Sequence, residues 1–159
     1  MTNIREINIE IEDKNLRAVE VKGSEDGPRL AITTGVHGCE YVGIQAVKEF
    51  IKEVEDLKFK GSLLIAPLIN ESGFVHGLKQ IVKEDGQNLN RCFPGDKDGS
   101  FTYKLAQKIE EEIYKDADFL IDLHGGDINE IMTPLVFYPV AADEATNKKA
   151  KKLAEKLTT

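Results

Sequence analysis

The sequence has little cysteine, a shortage of basic residues and no long apolar run, and each absence excludes a class of protein. Its two cysteines, Cys39 and Cys92, are too few for the disulfide framework of a small secreted domain. No segment approaches the roughly 18 apolar residues that a membrane-spanning helix needs, and the charged N-terminus lacks the apolar core of a signal peptide. We therefore expect a cytoplasmic protein with no membrane partner.

The charge balance excludes a nucleic-acid partner. Lysine and arginine total 21 against 28 aspartates and glutamates, which gives a formal net charge of -7. Phosphate binding needs a basic face, and the lysines gathered at 148–156 alternate with apolar residues at helical spacing, as on the solvated face of a helix. A length of 159 residues with 41% hydrophobic content predicts one domain, 1–159, with its own core.

Short apolar runs alternate with helix-patterned segments along the chain. Period-two alternation over 4–11 and 16–21 predicts an antiparallel hairpin. Further strands are predicted at 29–34, 63–66 and 119–123, and helices at 41–57, at 100–114 with Ser100 or Thr102 as N-cap, and at 143–157. This order predicts an α/β fold, a three-layer sandwich with a mostly parallel mixed sheet. Residues 67–99 keep no period, and a loop of that length is usually functional.

Two predicted strands end in glycine-containing loops that carry histidine. The strand at 29–34 leads into His37 and Glu40, and His124 closes the strand at 119–123. Ligands gather at the carboxyl ends of parallel strands, and imidazole and carboxylate groups are good zinc donors. The pattern predicts three zinc ligands with a fourth position open, as in catalytic sites. Glycines flank His37 and favour a sharp bend, and Cys39 is expected to be a small buried residue rather than a ligand.

The long loop carries a further motif at residues 85–95, DGQNLNRCFPG. Together with GVHGCE at 35–40 and DLHGG at 122–126, it resembles the succinylglutamate desuccinylase/aspartoacylase family, which has the zinc carboxypeptidase-like fold. The resemblance covers residues 30–139, nearly the whole chain. It implies zinc-dependent hydrolysis of the amide bond of an N-acyl amino acid or a similar small carboxylate-bearing amide.

The resemblance also assigns residues. His37, Glu40 and His124 match the ligands of one zinc ion per chain, and Asn90 and Arg91 match the pair that holds a substrate carboxylate. A guanidinium fork fits a carboxylate bidentately, which agrees with that role. Other residues near these motifs receive lesser roles: Asp122 is expected to orient a ligand or simply to end a strand, His76 to line the pocket or the surface, and Cys92 to pack in the core.

The chain departs from the family pattern in two places. Family members carry an arginine that polarises the scissile carbonyl where Gln80 stands here, and the flanking Lys79 and Lys83 are the alternatives for that charge. The family's general-base glutamate is expected beyond Thr159, with Glu130 as the alternative within the chain. We therefore expect a fold that is incomplete at its C-terminus, with an uncovered sheet edge or apolar face that favours self-association. The alternative functions are a zinc carboxypeptidase acting on peptides and a non-catalytic zinc-binding domain.

Overall fold

The computed structural model describes residues 3–157, which form one mixed sheet and the helices around it. The strands are β1 (Asn3–Ile11), β2 (Lys14–Lys22), β3 (Glu25–Thr34), β4 (Lys60–Ala66) and β5 (Phe119–Leu123). The α-helices are α1 (Tyr41–Glu53), α2 (Glu71–Val75), α3 (Phe101–Ile109) and α4 (Glu144–Leu157). A short 3-10 turn, Val54–Asp56, extends α1, and one turn of π-helix, Glu110–Tyr114, extends α3.

The sheet has the strand order β1-β2-β4-β3-β5. Strand β3 pairs in parallel with both β4 and β5, whereas β2 pairs antiparallel with β1 and β4. Four of the five strands therefore run in one direction, with β2 reversed, and the predicted mixed sheet with its N-terminal hairpin is confirmed. The carboxyl ends of β3 and β5 meet at the same edge of the sheet.

Helices cover both faces of the sheet. Because successive strand residues point to opposite faces, Ala31 of β3 joins a core cluster with α3, and its neighbour Ile32 joins a second cluster with α1. The α3 cluster is centred on Leu105, Ile109 and Ile113, which are at most 4% exposed. The α1 cluster contains Val21, Ile32, Val47, Val54 and Ile65. The predicted three-layer arrangement is confirmed.

The long segment 67–99 is irregular apart from α2 and a 3-10 turn, Leu89–Arg91. The fully buried Asn70 fixes its start. The Asn70 side-chain oxygen accepts from the Gly73 amide at 2.8 Å and so caps α2, and its Nδ2 donates to the Ile81 carbonyl at 3.1 Å. Its backbone amide donates to the carbonyl of Gly35 at 2.9 Å. The segment is thereby held against the turn that follows β3.

Residues 128–142 form no helix or strand and expose apolar side chains. Ile131 and Phe137 are essentially uncovered, at 103% and 87% exposure, and the apolar run 135–138 pairs with no strand of the described residues. Exposed apolar surface of this kind favours association, so the expected self-association stays a prediction. None of the helices within 3–157 is both long enough and apolar enough to span a bilayer.

Candidate metal centre

The turn that follows β3 is shaped by two glycines. Gly35 has a φ of +70°, a left-handed conformation that side chains other than glycine rarely adopt. A Cβ added at Gly38 would lie 2.2 Å from the amide nitrogen of Phe74 in α2, so only glycine fits there. The predicted bend around His37 is confirmed, and it places Glu40 at the N-cap position of α1.

The structure brings the three predicted ligands together. His37 Nδ1 lies 2.6 Å from Glu40 Oε1, and His124 Nδ1 lies 2.8 Å from Glu40 Oε2. One candidate ligand atom from each residue falls within a group whose members are all less than 4.8 Å apart. The side chains of His37 and Glu40 are 9% and 8% exposed, whereas that of His124 is 30% exposed. The cluster therefore opens to solvent on the His124 side.

Neighbouring groups strongly shift the pKa values of Glu40 and His124. Burial would raise the pKa of Glu40, but hydrogen bonds from His124, His37 and the Gly125 amide outweigh it and lower the pKa to about 2. Hydrogen bonds to Asp122 and Glu40 raise the pKa of His124 to about 10, against the opposing effect of burial. Without a metal ion, Glu40 is an anion and His124 holds a proton at neutral pH.

The surroundings of the two histidines fit a cation. His37 Nε2 lies 3.3 Å from Asn88 Oδ1, and His124 Nε2 lies 2.9 Å from Asp122 Oδ2, so each ring meets an acceptor at both nitrogens. A neutral imidazole has one N–H and would turn a lone pair towards one of these oxygens. A cation held by His37, His124 and Glu40 would remove this conflict at His37 and would take the place of the Nδ1 proton of His124. Two imidazoles and one carboxylate, with outer nitrogens that donate to oxygens, are a donor set that suits zinc.

Asn88 connects His37 to the pair predicted to bind a carboxylate, Asn90 and Arg91. Asn88 Oδ1, which faces His37, also accepts from the backbone amide of Asn90 at 2.9 Å and so caps the turn Leu89–Arg91. Asn90 and Arg91 are exposed, and the Arg91 guanidinium donates to the Asn90 carbonyl at 3.1 Å. Within residues 3–157, Arg91 forms no ion pair. Its guanidinium is therefore free to meet an anion.

Cys39 links three loops and stands apart from the ligand cluster. Its Sγ lies 2.8 Å from both the Lys79 carbonyl oxygen and Asp127 Oδ1, two acceptors for its single S–H proton. Burial, together with the contact to Asp127, raises the pKa of Cys39 to about 12, so the thiol stays protonated. Asp127 also lies 3.6 Å from Lys79 Nζ, and Lys79, Gln80 and Lys83 are all exposed on the same loop.

The remaining residues singled out in the sequence lie outside the cluster. Glu130 accepts from the Asp127 amide at 3.2 Å and closes the turn after His124. His76 is exposed, with its Nδ1 2.9 Å from the Ser72 carbonyl, as expected of a surface residue. Cys92 is 3% exposed and packs in the α3 core. The possible orienting role of Asp122 has a physical basis in its contact with His124.

The predicted N-cap position of α3 is confirmed at Ser100, but the Ser100 side chain makes no capping bond to the helix. The carboxylate of Asp85 takes that role from the long loop, because it accepts from the Thr102 amide at 2.8 Å and from the hydroxyls of Ser100 and Thr102. The roles of Asp85, Asn88 and Asp127 were missed. Asp85 and Asn88 do stand within the conspicuous DGQNLNR segment.

Comparison with known proteins gives a consistent result. The family model of the succinylglutamate desuccinylase/aspartoacylase catalytic domain matches residues 26–159. The N-alpha-acetyl-L-2,4-diaminobutyric acid deacetylase of Halomonas elongata is 33% identical over 125 residues, which are 79% of this chain and 36% of that protein. The crystal structure of an aspartoacylase family protein from Mesorhizobium loti is similar with a TM-score of 0.69 and 28% identity, over 77% of this chain and 40% of the other.

The fold extends to more distant enzymes. A metallo-carboxypeptidase from Pseudomonas aeruginosa, at 17% identity, shares the fold with a TM-score of 0.65 over 77% of this chain and 35% of its own length. The chain therefore spans at most 40% of the length of these three proteins.

Proposed function

The chain belongs to the succinylglutamate desuccinylase/aspartoacylase family, and we propose that its site serves zinc-dependent hydrolysis of the amide bond of an N-acyl amino acid or a similar small carboxylate-bearing amide. The observation that carries the proposal is the convergence of His37 Nδ1 and His124 Nδ1 on the Glu40 carboxylate. The relative from Halomonas elongata supports the substrate class, because its name describes removal of an acetyl group from a diamino acid. We also propose that the protein works in the cytoplasm.

Different residues around the cluster bind the metal ion and the substrate carboxylate. His37, Glu40 and His124 would hold a zinc ion, which would supply Lewis acidity towards an amide carbonyl. Arg91 offers a planar fork of donors to the substrate carboxylate, and the Asn90 amide adds a further donor. Since Asn88 joins the Asn90 turn to His37, a substrate anchored at Arg91 presents its amide carbonyl to the cluster in a fixed orientation.

The positive charge that family members supply by arginine is assigned here to Lys79. Asp127 is only 8% exposed in its side chain and holds the Lys79 ammonium, and the same carboxylate bonds Cys39, the residue before Glu40. Lys79 and Lys83 are both exposed, and we choose Lys79 because Asp127 connects it to the turn that carries Glu40. Lysine is a point charge rather than a fork, so this contribution is weaker than that of an arginine.

We propose that neither Asp122 nor Glu130 acts as the general base. Two carboxylates near the cluster are engaged elsewhere: Asp122 accepts from His124 and Thr33, and Glu130 accepts from the Asp127 amide. The same observation favours one second candidate, a zinc-binding domain without hydrolytic activity. The two candidates share the metal site and differ in turnover.

The zinc stoichiometry tests the metal site, which the hydrolase and the zinc-binding domain have in common. We expect the folded chain to bind one zinc ion, and His37→Ala to abolish stoichiometric binding, since it removes one of three ligands. Cys39→Ser is the matched control, because Cys39 lies in the same buried turn and contacts Asp127 and Lys79 instead. Equal loss of zinc in both variants, measured by metal analysis after gel filtration, would show that the ligands are wrongly assigned.

Measured hydrolysis distinguishes the amide hydrolase from the carboxypeptidase and from the inactive zinc-binding domain. Hydrolysis of a series of N-acyl amino acids should rise in proportion to the protein concentration, stop with a chelator and return with zinc. The decarboxylated analogues of the same compounds should react far more slowly, because they lack the group that Arg91 binds. Faster cleavage of peptides would indicate a carboxypeptidase. Stoichiometric zinc without turnover of any amide would favour the binding domain.

A further inference from the structure

A chain of hydrogen bonds leads from His124 into the protein interior. His124 Nε2 lies 2.9 Å from Asp122 Oδ2, and Asp122 Oδ1 accepts from the Thr33 hydroxyl at 2.7 Å. The Thr33 oxygen lies in turn 3.1 Å from the hydroxyl of Tyr114. Thr33 is completely buried in β3, directly opposite Asp122 of β5 in the parallel register.

The direction of each proton in this chain follows from the donors available. Asp122 Oδ1 accepts from Thr33, so the single hydroxyl proton of Thr33 points to the carboxylate. The Thr33 oxygen must then accept, and Tyr114 is the donor. Burial raises the pKa of the Tyr114 phenol, which keeps its proton for that bond. The last donor is His124 Nε2–H, which leaves Nδ1 directed at Glu40.

Tyr114 reaches Thr33 because of the π-helical turn that ends α3. The amide of Lys115 donates to the carbonyl of Glu110 at 2.9 Å, a bond that spans five residues instead of four. Such turns are rare in helices and often occur at functional sites. The Tyr114 ring stacks on Phe93 at 5.8 Å between centroids, which holds the hydroxyl in place.

The open side of the cluster makes this support necessary. The His37 side chain is 9% exposed and is held by the turn in which it lies, whereas that of His124 is 30% exposed and has less packing to fix its ring. The terminal torsion of an aspartate is broad. Asp122 therefore holds the His124 ring in one orientation only if its own carboxylate is fixed by Thr33.

We propose that Thr33 and Tyr114 are positioning residues for His124, and that they set the zinc affinity of the site by fixing the Asp122 carboxylate. The inference rests on the proposed metal site and assigns to it two residues that contact none of the ligands directly. Loss of an outer partner of a metal ligand typically lowers metal affinity by about 10–100-fold. We expect about tenfold weaker zinc binding for Thr33→Val, a smaller loss for Tyr114→Phe, and near-normal binding for Thr33→Ser, which keeps the hydroxyl.

Thr102→Val is the matched control for Thr33→Val. Both threonines are 0% exposed and both donate their hydroxyl to an aspartate, but Thr102 bonds Asp85 beneath α3 rather than Asp122. The two substitutions should cost similar stability, and only Thr33→Val should change the metal site. Zinc affinity would be measured by competition with a chromophoric chelator, and the visible spectrum of the cobalt(II) complex would report the geometry of the ligands.

The outcomes separate this inference from the proposed function. Unchanged zinc affinity and an unchanged cobalt spectrum in Thr33→Val and Tyr114→Phe would overturn the inference alone. An equal loss in Thr102→Val would also overturn it, because the effect would then be one of stability. Failure of the unaltered chain to bind zinc would overturn the proposed function and the inference with it. If Thr33→Val does not fold, Tyr114→Phe, which removes one oxygen and keeps the ring, decides the matter.

Discussion

Replacement of Asp85 with asparagine should destabilise the whole domain. Oδ1 of Asp85 accepts from the Gln87 amide and the Thr102 hydroxyl, and Oδ2 accepts from the Ser100 hydroxyl and the Thr102 amide. Asparagine has the same shape but carries an NH₂ group in place of one oxygen. Whichever way the amide turns, its NH₂ group faces one hydroxyl, which can rotate to accept from it, and one backbone N–H, which loses its acceptor.

The size of the effect follows from these contacts. Loss of an N-cap typically costs about 0.5–2 kcal/mol, and a partly buried donor left without its acceptor costs about 1–3 kcal/mol. Because these terms overlap, we expect the free energy of unfolding to fall by about 2–3 kcal/mol. In a chain of this size each kcal/mol lowers Tm by about 2–4 °C, so Tm should fall by about 5–10 °C.

Thermal and urea unfolding followed by circular dichroism would measure the change. Asp98→Asn is the control, since the Asp98 side chain is 80% exposed and lies 3.8 Å from Lys97. Burial would raise the pKa of Asp85, but hydrogen bonds from Ser100 and Thr102 lower it below its ordinary 3.8. Its stabilising effect is thus present above pH 3.8 and is lost as the pH falls through the folded pKa. The reasoning would be refuted if the free energies of unfolding of Asp85→Asn and the unaltered chain differed by less than about 0.5 kcal/mol. It would also be refuted if that difference did not shrink in acid.

Two further predictions concern the site. Arg91→Lys should weaken the binding of an N-acetyl amino acid to the zinc-loaded chain by about 1–3 kcal/mol, because a bidentate charge-assisted contact is lost. Calorimetry measures this, with Arg5→Lys as the control. Equal affinities of Arg91→Lys and the unaltered chain would contradict the prediction. Without metal, the stability that His124 contributes is fully present below pH 6.5 and should fall as the pH rises through about 10, because the folded state keeps a proton that the unfolded state releases. Zinc affinity should rise over the same range as the ion displaces that proton, and a flat dependence would contradict this.

The sequence predicts the elements whose signals are local. An apolar run and two glycines predict strand β3 and the bend after it. The apolar run of β5, which pairs in parallel with β3, predicts the position of His124. Strand bounds are less accurate, because pairing with a neighbour decides them. Strand β3 begins at Glu25 rather than at residue 29, since Glu25 pairs with Lys60 across an irregular register.

The supporting contacts were not predictable because they join residues far apart in the chain. The Asp85 cap spans 17 residues, and the bond from Cys39 to Asp127 spans 88. The sequence does not predict the π-helical turn at Tyr114 for another reason. One extra residue in a helical turn hardly changes the hydrophobic period, so residues 100–114 have the pattern of an uninterrupted α-helix.

The pairing of β5 with β3 has a consequence for the order of events in folding. His37 and Glu40 are neighbours in sequence, whereas His124 lies 84 residues beyond Glu40 and joins them only when β5 docks. Contacts of such separation pay a large loop-closure entropy and slow folding. The complete ligand set therefore exists only once the sheet has closed. Zinc should slow unfolding by stabilising the closed state, and it should leave the early, local steps of folding unchanged.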